Sequence, residues 1–405
     1  MVTKLFAGID ISANDAVLCC LDQDGNQLGP SRKFANDLNG ANELFDTIAA
    51  FSPNEAHIGI ESTSVYGVHL RDFLAAACKT SPNWFVYEIN PSLVAGFKKS
   101  FPKRPKTDHQ DAWFIAERVR FGRIEPFSLR KITTEPLLQL TRHRLHLIEL
   151  VTIEQNRACN MIFLKFSNYR KDTPFSNTFG KASMAILKDL SPDELANMDM
   201  KQLVSFIVQN GNNRLKDVEQ LAAVLKNMAK RAYRLNPKIQ DSINVTLTMT
   251  LHNIEFFKSQ IKRLDKVIAQ ELQAIPQTLT SIPGIGPVWA AGIVAEIGDI
   301  SRFRNEAALA QYAGLTWSRY QSGNFDAEER RLTKNGNRYL RYYLVEAANS
   351  LRVHNEEYKA YYQAKYKEVT KHQHKRALVL TARKFVRLVF ALLSKGQIYR
   401  PEVRN

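Results

Sequence analysis

Four carboxylates occupy positions from which a folded chain could bring them together. Asp10 and Glu61 each end an apolar run, so each is expected at the end of a buried strand. Asp108 and Asp111 open a candidate helix that has Thr107 as its N-cap. Their spacing of three places both carboxylates on one helical face. Because acids at one sheet edge repel each other, the set points to a divalent cation, and oxygen-only ligands suit Mg²⁺ or Mn²⁺.

The same acids have a simpler interpretation. Glu61 could end its strand in solvent, while Asp108 and Asp111 could supply negative charge to the first turn of a helix. For the helical pair alone the simpler interpretation is the better one. The joint arrangement of all four acids favours a metal site, in which paired ions activate an attacking oxygen and steady a leaving oxygen on phosphate.

A second group with possible chemistry surrounds Ser322, which stands beside a glycine in a basic segment. A serine in such a loop can approach a phosphodiester closely, and nearby cations would stabilise the charge that develops on phosphorus. The basic residues of this segment are Arg319, Arg330, Arg331, Lys334 and Arg338. From the residues alone, a turn serine in a phosphate-binding loop remains the better interpretation.

Three further features favour contact with nucleic acid. The turn at Gly284 and Gly286 could present backbone N–H groups to a phosphate and resembles a helix-hairpin-helix element, although a plain helix–helix turn explains it equally well. A basic stretch that precedes the helical acids consists of Lys98, Lys99, Lys103, Arg104 and Lys106. The whole chain has 56 Lys and Arg against 40 Asp and Glu, a net charge of +16, which favours a polyanionic partner.

The elements that must position the acids form an α/β pattern. Three strands linked by hairpin signals, among them the turn Asp24-Gly25-Asn26, precede an alternation of helices and strands. This order is typical of a ribonuclease H-like sheet. Further along, Glu135–Phe166 has a helical pattern, Asn168–Gly180 is expected to be a loop, and short helices are expected over Leu195–Val208 and Val218–Leu235. Ile239–Leu272 has the apolar spacing of a coiled-coil seam, at positions that include Leu247 and Ile268.

The 405 residues exceed the usual size of one domain. We expect an α/β domain over 1–130, a helical stalk with an inserted subdomain over 131–275, and a small helical domain over 276–405. The N-terminus runs directly into a strand, and no apolar run is long enough to span a bilayer, which predicts a protein without signal peptide or membrane anchor. The four cysteines form no CxxC pair, which favours a reduced cytoplasm.

Seven short motifs occur in an order that is specific as a set. They are Gly8-Ile9-Asp10, Ile60-Glu61-Ser62-Thr63, Lys106-Thr107-Asp108 with Asp111-Ala112, Ser281-Ile282-Pro283-Gly284-Ile285-Gly286, Tyr312-Ala313-Gly314-Leu315-Thr316, Gln321-Ser322-Gly323 and Thr333-Lys334-Asn335-Gly336-Asn337. Together they resemble the DEDD transposases of bacterial insertion sequences, the group that includes the Piv invertase and is guided by an element-encoded bridge RNA. The resemblance covers roughly residues 1–150 and 240–395.

The resemblance implies a RuvC-like domain, a coiled-coil stalk and a C-terminal transposase domain. It implies that the four acids bind Mg²⁺ and that Ser322, by its position, attacks the DNA phosphate. A 5′-phosphoserine intermediate and a Holliday junction would follow. The acids and the serine would come from different subunits of an RNA-bound tetramer, a dimer of dimers. This assembly would act on donor and target DNA in the bacterial cytoplasm, at the nucleoid.

The chain departs from the family pattern in two places. The segment 167–237 is longer than the family pattern has between its two halves, and Asn324-Phe325 stand where small polar residues are usual. Neither removes a catalytic group. Three alternatives remain open: a RuvC-like Holliday junction nuclease that uses metal-activated water, a sugar-kinase-like ATPase, and a non-catalytic nucleic-acid adaptor. The ATPase lacks a second Gly-rich phosphate loop at the expected place.

Overall fold

The chain divides into two compact units, Met1–Leu129 and Arg130–Asn405. The structure is a computed structural model and describes residues 2–61, 65–101, 107–124, 134–211, 215–317, 321–322, 325–326 and 332–401. The first unit contains a sheet with flanking helices, and the second is mostly helical. The predicted α/β part is therefore present, whereas the part expected to be all-helical is mostly helical and also contains a two-stranded sheet.

The first unit is built on a mixed sheet. Its elements are β1 (Lys4–Ile11), β2 (Asp15–Leu21), β3 (Arg32–Ala35), α1 (Leu38–Ala49), β4 (Glu55–Glu61), α2 (Val68–Ala77), β5 (Trp84–Ile89), α3 (Pro91–Lys98) and α4 (Asp108–Phe121). Within the described part of this unit the strands lie in the order β3-β2-β1-β4-β5. β1, β2 and β3 are antiparallel neighbours, whereas β4 and β5 run parallel to β1. The hairpin-linked strands and the alternation that follows them match the sequence prediction.

The two faces of the sheet have different roles because alternate side chains of a strand point to opposite faces. Leu5, Ala7 and Ile9 of β1 are fully buried and pack in one core with residues of α1 and α2. Gly8 lies on the opposite face, where α4 covers the sheet. Asp10 follows on the face of Gly8, so its carboxylate is on the side of the sheet that carries α4.

The second unit consists mainly of helices. Its elements are α5 (Glu135–Lys165), α6 (Tyr169–Asp172), α7 (Lys181–Asp189), α8 (Pro192–Asn197), α9 (Met200–Gly211), α10 (Val218–Arg231), α11 (Pro237–Gln273), α12 (Pro287–Ile297), α13 (Glu306–Tyr312), β6 (Gln321–Ser322), β7 (Phe325–Asp326), α14 (Arg338–His354), α15 (Glu356–Lys367) and α16 (Gln373–Lys395). The predicted long helices are present as α5 and α11.

Helices α5 and α11 pack side by side in opposite directions. Arg144, near the start of α5, forms an ion pair with Asp265, near the end of α11. Met161, near the end of α5, contacts Thr250 in the first half of α11. One end of this helix pair packs with α6–α10, and the other end packs with α12–α16. The helix pair therefore belongs to two separate hydrophobic cores.

Part of the inserted region was not predicted correctly. The stretch 168–180, expected to be a loop, contains the one-turn helix α6, and α7 follows where no helix was expected. Residues Ala182 to Leu187 of α7 are buried without interruption, so they lack the helical periodicity that marks an amphipathic helix.

Three of the four cysteines, Cys19, Cys20 and Cys78, are buried, and Cys159 on α5 is exposed. None of the helices described is both long and apolar enough to cross a membrane.

Candidate active site

Two of the predicted acids are brought to the same edge of the sheet by strand register. β1 and β4 are parallel, and Ile9 lies opposite Ile60. The next residue on each strand is an acid, Asp10 on β1 and Glu61 as the last residue of β4. Both side chains are half-buried. The carboxyl ends of the two central strands therefore present neighbouring carboxylates.

The other two acids lie in the first turn of α4. Thr107 is the N-cap, and its side-chain oxygen accepts a hydrogen bond of 3.3 Å from the backbone N–H of Gln110, as predicted. Asp108 is more exposed than Asp111. Their charges are also favourable for the helix dipole, so the simpler interpretation of this pair accounts for part of their placement.

Gly8 allows α4 to lie directly on β1. A Cβ atom at Gly8 would stand 2.1 Å from the carbonyl oxygen of Ala112 and 2.2 Å from the backbone nitrogen of Ala116. Both alanines are fully buried. Only glycine on the strand and small residues on the helix permit this approach, which brings the first turn of α4 close to Asp10.

The electrostatics couple the four acids. Burial raises the pKa of Asp10, and the negative charges of Asp111 and Asp108 raise it further. Burial likewise raises the pKa of Glu61, with smaller upward contributions from Asp10 and Asp111. Asp10 and Glu61 are thus close enough to other acids of the set for the charges of those acids to raise their pKa values.

Lys98, at the end of α3, supplies positive charge to this cluster. Its Nζ atom lies 2.8 Å from Oδ1 of Asp111. The same charge lowers the pKa of Asp10 and of Glu61, against the effect of burial. The sequence predicted Lys98 as a nucleic-acid contact, and the structure shows its ammonium group engaged with an acid of the cluster.

The four acids suit Mg²⁺ by the type of donor atom that they offer. All four side chains offer carboxylate oxygens, which Mg²⁺ and Mn²⁺ prefer. Among the residues that the structure describes, no group of three or more His, Cys, Asp or Glu side chains is arranged to hold a metal ion. One of the two carboxylate oxygens of Asp111, Oδ1, is already engaged by Lys98. The metal centre therefore stays a prediction.

Ser322 lies in a short β-hairpin of the second unit. β6 and β7 are antiparallel, and Ser322 is paired with Phe325. The two ends of the segment that carries this hairpin, here called the hairpin base, are also joined, because the backbone N–H of Thr333 donates a hydrogen bond of 2.9 Å to the carbonyl oxygen of Thr316. An isolated bridge joins Trp317 to residue 332. The predicted nucleophile is therefore placed next to the connection between the two strands.

The predicted phosphate contacts are only partly within the described residues. Lys103, Arg104, Lys106, Arg319, Arg330 and Arg331 lie outside them. Lys99 is exposed after α3. Lys334 has a left-handed backbone, with φ of 53°, and Arg338 begins α14 with its guanidinium 3.7 Å from Glu149 of α5.

The glycine turn before α12 packs against α14. Gly284 has φ of +88°, and a Cβ atom there would stand 2.9 Å from Cβ of His354. Its carbonyl oxygen accepts a hydrogen bond of 2.6 Å from Oγ of Ser350. Gly286 is the N-cap of α12 and has open space around its α-carbon. Phosphate contact at this turn stays a prediction.

Two family models match separate parts of the chain. A model described as "Transposase", for DEDD transposases of the IS110 type, matches residues 7–166, and a model described as "Transposase IS116/IS110/IS902 family" matches residues 276–363. The chain belongs to the IS110/IS116 transposase family. As an insertion-sequence transposase it is an enzyme that cuts and rejoins DNA.

Several relatives resemble this transposase. It is 24% identical to "Insertion element IS116 uncharacterized 44.8 kDa protein" of Streptomyces clavuligerus, over 98% of this chain and 96% of the relative. It is 29% identical to "Transposase for insertion sequence element IS1111A" of Coxiella burnetii, over 45% of this chain and 49% of that one. It is 23% identical to "Pilin gene-inverting protein" of Moraxella bovis, over 80% of this chain and 75% of the relative.

The sequence reasoning missed a buried polar network in the C-terminal part of the transposase. Glu296, in the apolar helix α12, has no exposed surface. Its carboxylate accepts two hydrogen bonds from Arg142 of α5, at 2.7 and 2.9 Å, and one of 2.7 Å from Nδ2 of Asn337. A lone acid in an apolar, Ala-rich helix was the available signal, because an unpaired buried carboxylate is costly.

Proposed function

We propose that this transposase recombines DNA through a covalent serine intermediate. Ser322 is the nucleophile, and Asp10, Glu61, Asp108 and Asp111 hold Mg²⁺. The main support for the metal-binding role of the acids is the parallel register that aligns Asp10 with Glu61 beside the first turn of α4. Family membership and the position of Ser322 beside a hairpin connection support the serine half.

The chemical step can be written with all atoms balanced. The Oγ atom of Ser322 attacks phosphorus, the P–Oγ bond forms, and the bond from phosphorus to the 3′ oxygen breaks. The serine proton leaves to solvent or a base, and the departing 3′ oxygen gains a proton. A 3′-hydroxyl from the partner duplex then reverses the step on the 5′-phosphoserine, which exchanges the strands and passes through a Holliday junction.

The acids prepare the phosphate for this attack. Mg²⁺, when bound, would offset the negative charge that develops on the phosphate oxygens. The four carboxylates would orient the cation relative to the DNA, and the partial burial of Asp10 and Glu61 limits competition from water. Lys98 supplies positive charge beside the acids and is suited to contact the phosphate once Asp111 turns towards the cation.

The finer architecture and the partners belong to the same proposal. The first unit is RuvC-like, α5 and α11 form a coiled-coil stalk, and the turn at Gly284 acts as a helix-hairpin-helix-like phosphate contact. The partners are donor DNA, target DNA and a guide RNA, and the active assembly is a homo-oligomer built as a dimer of dimers. The net charge of +16 supports nucleic-acid partners. Sequencing of the RNA that copurifies with the protein tests guidance, and no enriched structured RNA would count against it.

The decisive experiment replaces the nucleophile. Ser322→Ala should abolish the covalent adduct between protein and 5′-phosphate, as detected on a denaturing gel with DNA labelled downstream of the cut. Ser301→Ala, at an exposed serine of the same unit, is the matched control and should keep the adduct. If the adduct persists in Ser322→Ala, the assignment of the nucleophile is wrong.

The same assay separates the junction nuclease that uses metal-activated water. In that case Ser322→Ala would still cut a four-way junction, no adduct would form, and Asp10→Asn alone would stop the cleavage. The acid cluster of the first unit is required by both mechanisms, so only the serine variant distinguishes them.

A further inference from the structure

The base of the serine hairpin is held by a side chain that also caps a helix. The Oδ1 atom of Asn337 accepts hydrogen bonds from the backbone N–H groups of Tyr339 and Leu340, at 2.9 and 3.0 Å, and so caps α14. Its Nδ2 group faces the other way and donates to Glu296 at 2.7 Å and to the hydroxyl of Tyr312 at 3.2 Å. Both ends of the Asn337 amide are therefore engaged.

The same residue joins the two ends of the hairpin segment. The backbone N–H of Asn337, after the hairpin, donates a hydrogen bond of 2.6 Å to the carbonyl oxygen of Tyr312, before the hairpin. Gly336 has φ of +146°, and a Cβ atom there would stand 2.4 Å from the same carbonyl oxygen and 2.7 Å from the nitrogen of Gly314. The entry and exit of the segment that carries Ser322 thus meet at one point.

Glu296 connects this point to helix α5. Arg142 of α5 donates to both carboxylate oxygens of Glu296 from Nε and Nη2, which lie on one edge of its guanidinium, and its charge lies 4.5 Å from the ring centre of Tyr339. Arg142 is partly exposed and Glu296 is fully buried, and burial of charge makes the net stability gained from such an ion pair small, because desolvation offsets the attraction. Its directional hydrogen bonds instead specify one geometry, here the geometry of the hairpin base relative to α5.

We propose that Arg142, Glu296 and Asn337 form a clasp that positions the serine hairpin on α5, so that the orientation of this helix sets the orientation of Ser322. The three are positioning residues, because they act on the reaction through the hairpin. The inference rests on the proposed role of Ser322. It adds a mechanical connection between the long helix pair and the nucleophile.

Two conservative variants test the clasp. Arg142→Lys keeps the positive charge and loses the two-pronged contact. Asn337→Asp keeps the oxygen that caps α14 and replaces the donor that faces Glu296. Asp265→Asn is the matched control, because it weakens the Arg144 ion pair between α5 and α11 without touching the hairpin base.

The first readout is the single-turnover rate of adduct formation at saturating DNA, with DNA affinity measured separately. The clasp variants should lose about 10- to 100-fold in rate, the scale expected for a misplacement of about 1 Å, with little change in affinity. The control should keep its rate even where its melting temperature falls. Equal rate losses in the clasp variants and the control, compared at equal folded fraction, would overturn the clasp.

The second readout does not depend on activity. Hydrogen exchange of the amides of Thr333 and Asn337, which bond across the hairpin base, should accelerate in both clasp variants and stay unchanged in the control. Unchanged exchange in the clasp variants contradicts the inference. If the covalent adduct survives in Ser322→Ala, the proposed nucleophile is wrong. The hydrogen-exchange result would then still show whether the clasp holds the hairpin base.

Discussion

Gly8→Ala is expected to separate the acids without changing any of them. Gly8 is in the middle of β1, two residues before Asp10, and α4 lies directly on it. A methyl group there would meet the backbone of Ala112 and Ala116 rather than a flexible side chain. The strand is fixed in the sheet on both sides, so α4 is the element that must move.

The size of the movement follows from the contact distances. A Cβ atom at Gly8 would stand 2.1 Å from the carbonyl oxygen of Ala112, whereas carbon–oxygen contacts are usually about 3.3 Å or longer. The first turns of α4 must therefore retreat by roughly 1 Å, and Asp108 and Asp111 retreat with them. Overpacking of this kind lowers the free energy of unfolding by about 1–3 kcal/mol. The loss at Gly8 should be near the upper limit, because the atoms that the new methyl group meets belong to the backbone of α4 and cannot rotate aside. A misplacement of about 1 Å at reacting groups costs on the order of 100-fold in rate.

Thermal unfolding and a cleavage assay test both consequences. We expect Gly8→Ala to lower the melting temperature by roughly 10 °C and to lower the rate of DNA cleavage by about two orders of magnitude. The control is Gly96→Ala, because Gly96 is an exposed helical position with no atom near its missing side chain. This control should be neutral or slightly stabilising, since alanine is the better helix former. If Gly8→Ala melts and cleaves like the wild type, close packing of α4 on β1 does not align the acids.

Two other substitutions probe charge. Lys98→Met removes the cation beside Asp111, so its melting temperature in EDTA should be lower than that of the wild type. Added Mn²⁺ should raise the melting temperature of the variant more than that of the wild type. An equal Mn²⁺-induced rise in both proteins would show that Lys98 does not compensate the negative charge of the acids. Burial lowers the pKa of Lys165 from 10.5 to about 8. The folded state therefore penalises the ammonium form fully below about pH 8, and the penalty disappears as the pH rises towards 10.5. In urea titrations, the free energy of unfolding of Lys165→Met should exceed that of the wild type near about pH 7, and the difference should be smaller at about pH 9.5. A difference that does not change with pH would contradict burial of the ammonium group as its cause.

The sequence predicted the elements whose signals are local. Apolar runs with turn residues between them predicted the strands, and the first three are antiparallel neighbours, as their hairpin signals indicated. Thr107 followed by acids predicted the start of α4. The apolar spacing of α11 predicted the residues that face α5, among them Leu247 and Ile268, which are fully buried.

Features that depend on distant contacts could not be predicted in this way. The hairpin of Ser322 is polar and basic, so it has no alternation of apolar residues to reveal its strands. Arg142 and Glu296 are 154 residues apart in the chain, and each alone looks ordinary. Lys98 reads as one more basic residue until the fold places it beside Asp111. For the acids, the sequence predicted a shared metal site, which stays a prediction, and the structure adds the strand register and the glycine contact that place Asp10 and Glu61 on the side of the sheet that carries α4.

The uneven burial of the cysteines has a practical consequence. Burial raises the pKa of Cys20 to about 12 and that of Cys78 to about 11, so neither forms the reactive thiolate at neutral pH. Cys159 is exposed near the carboxyl end of α5, one of the two long helices. A maleimide fluorophore or spin label should therefore attach to the wild-type chain at one known position, without engineering. Energy transfer between labelled chains, or oxidative cross-linking of unlabelled chains through the free thiol of Cys159, would then measure how closely two such helices approach during recombination.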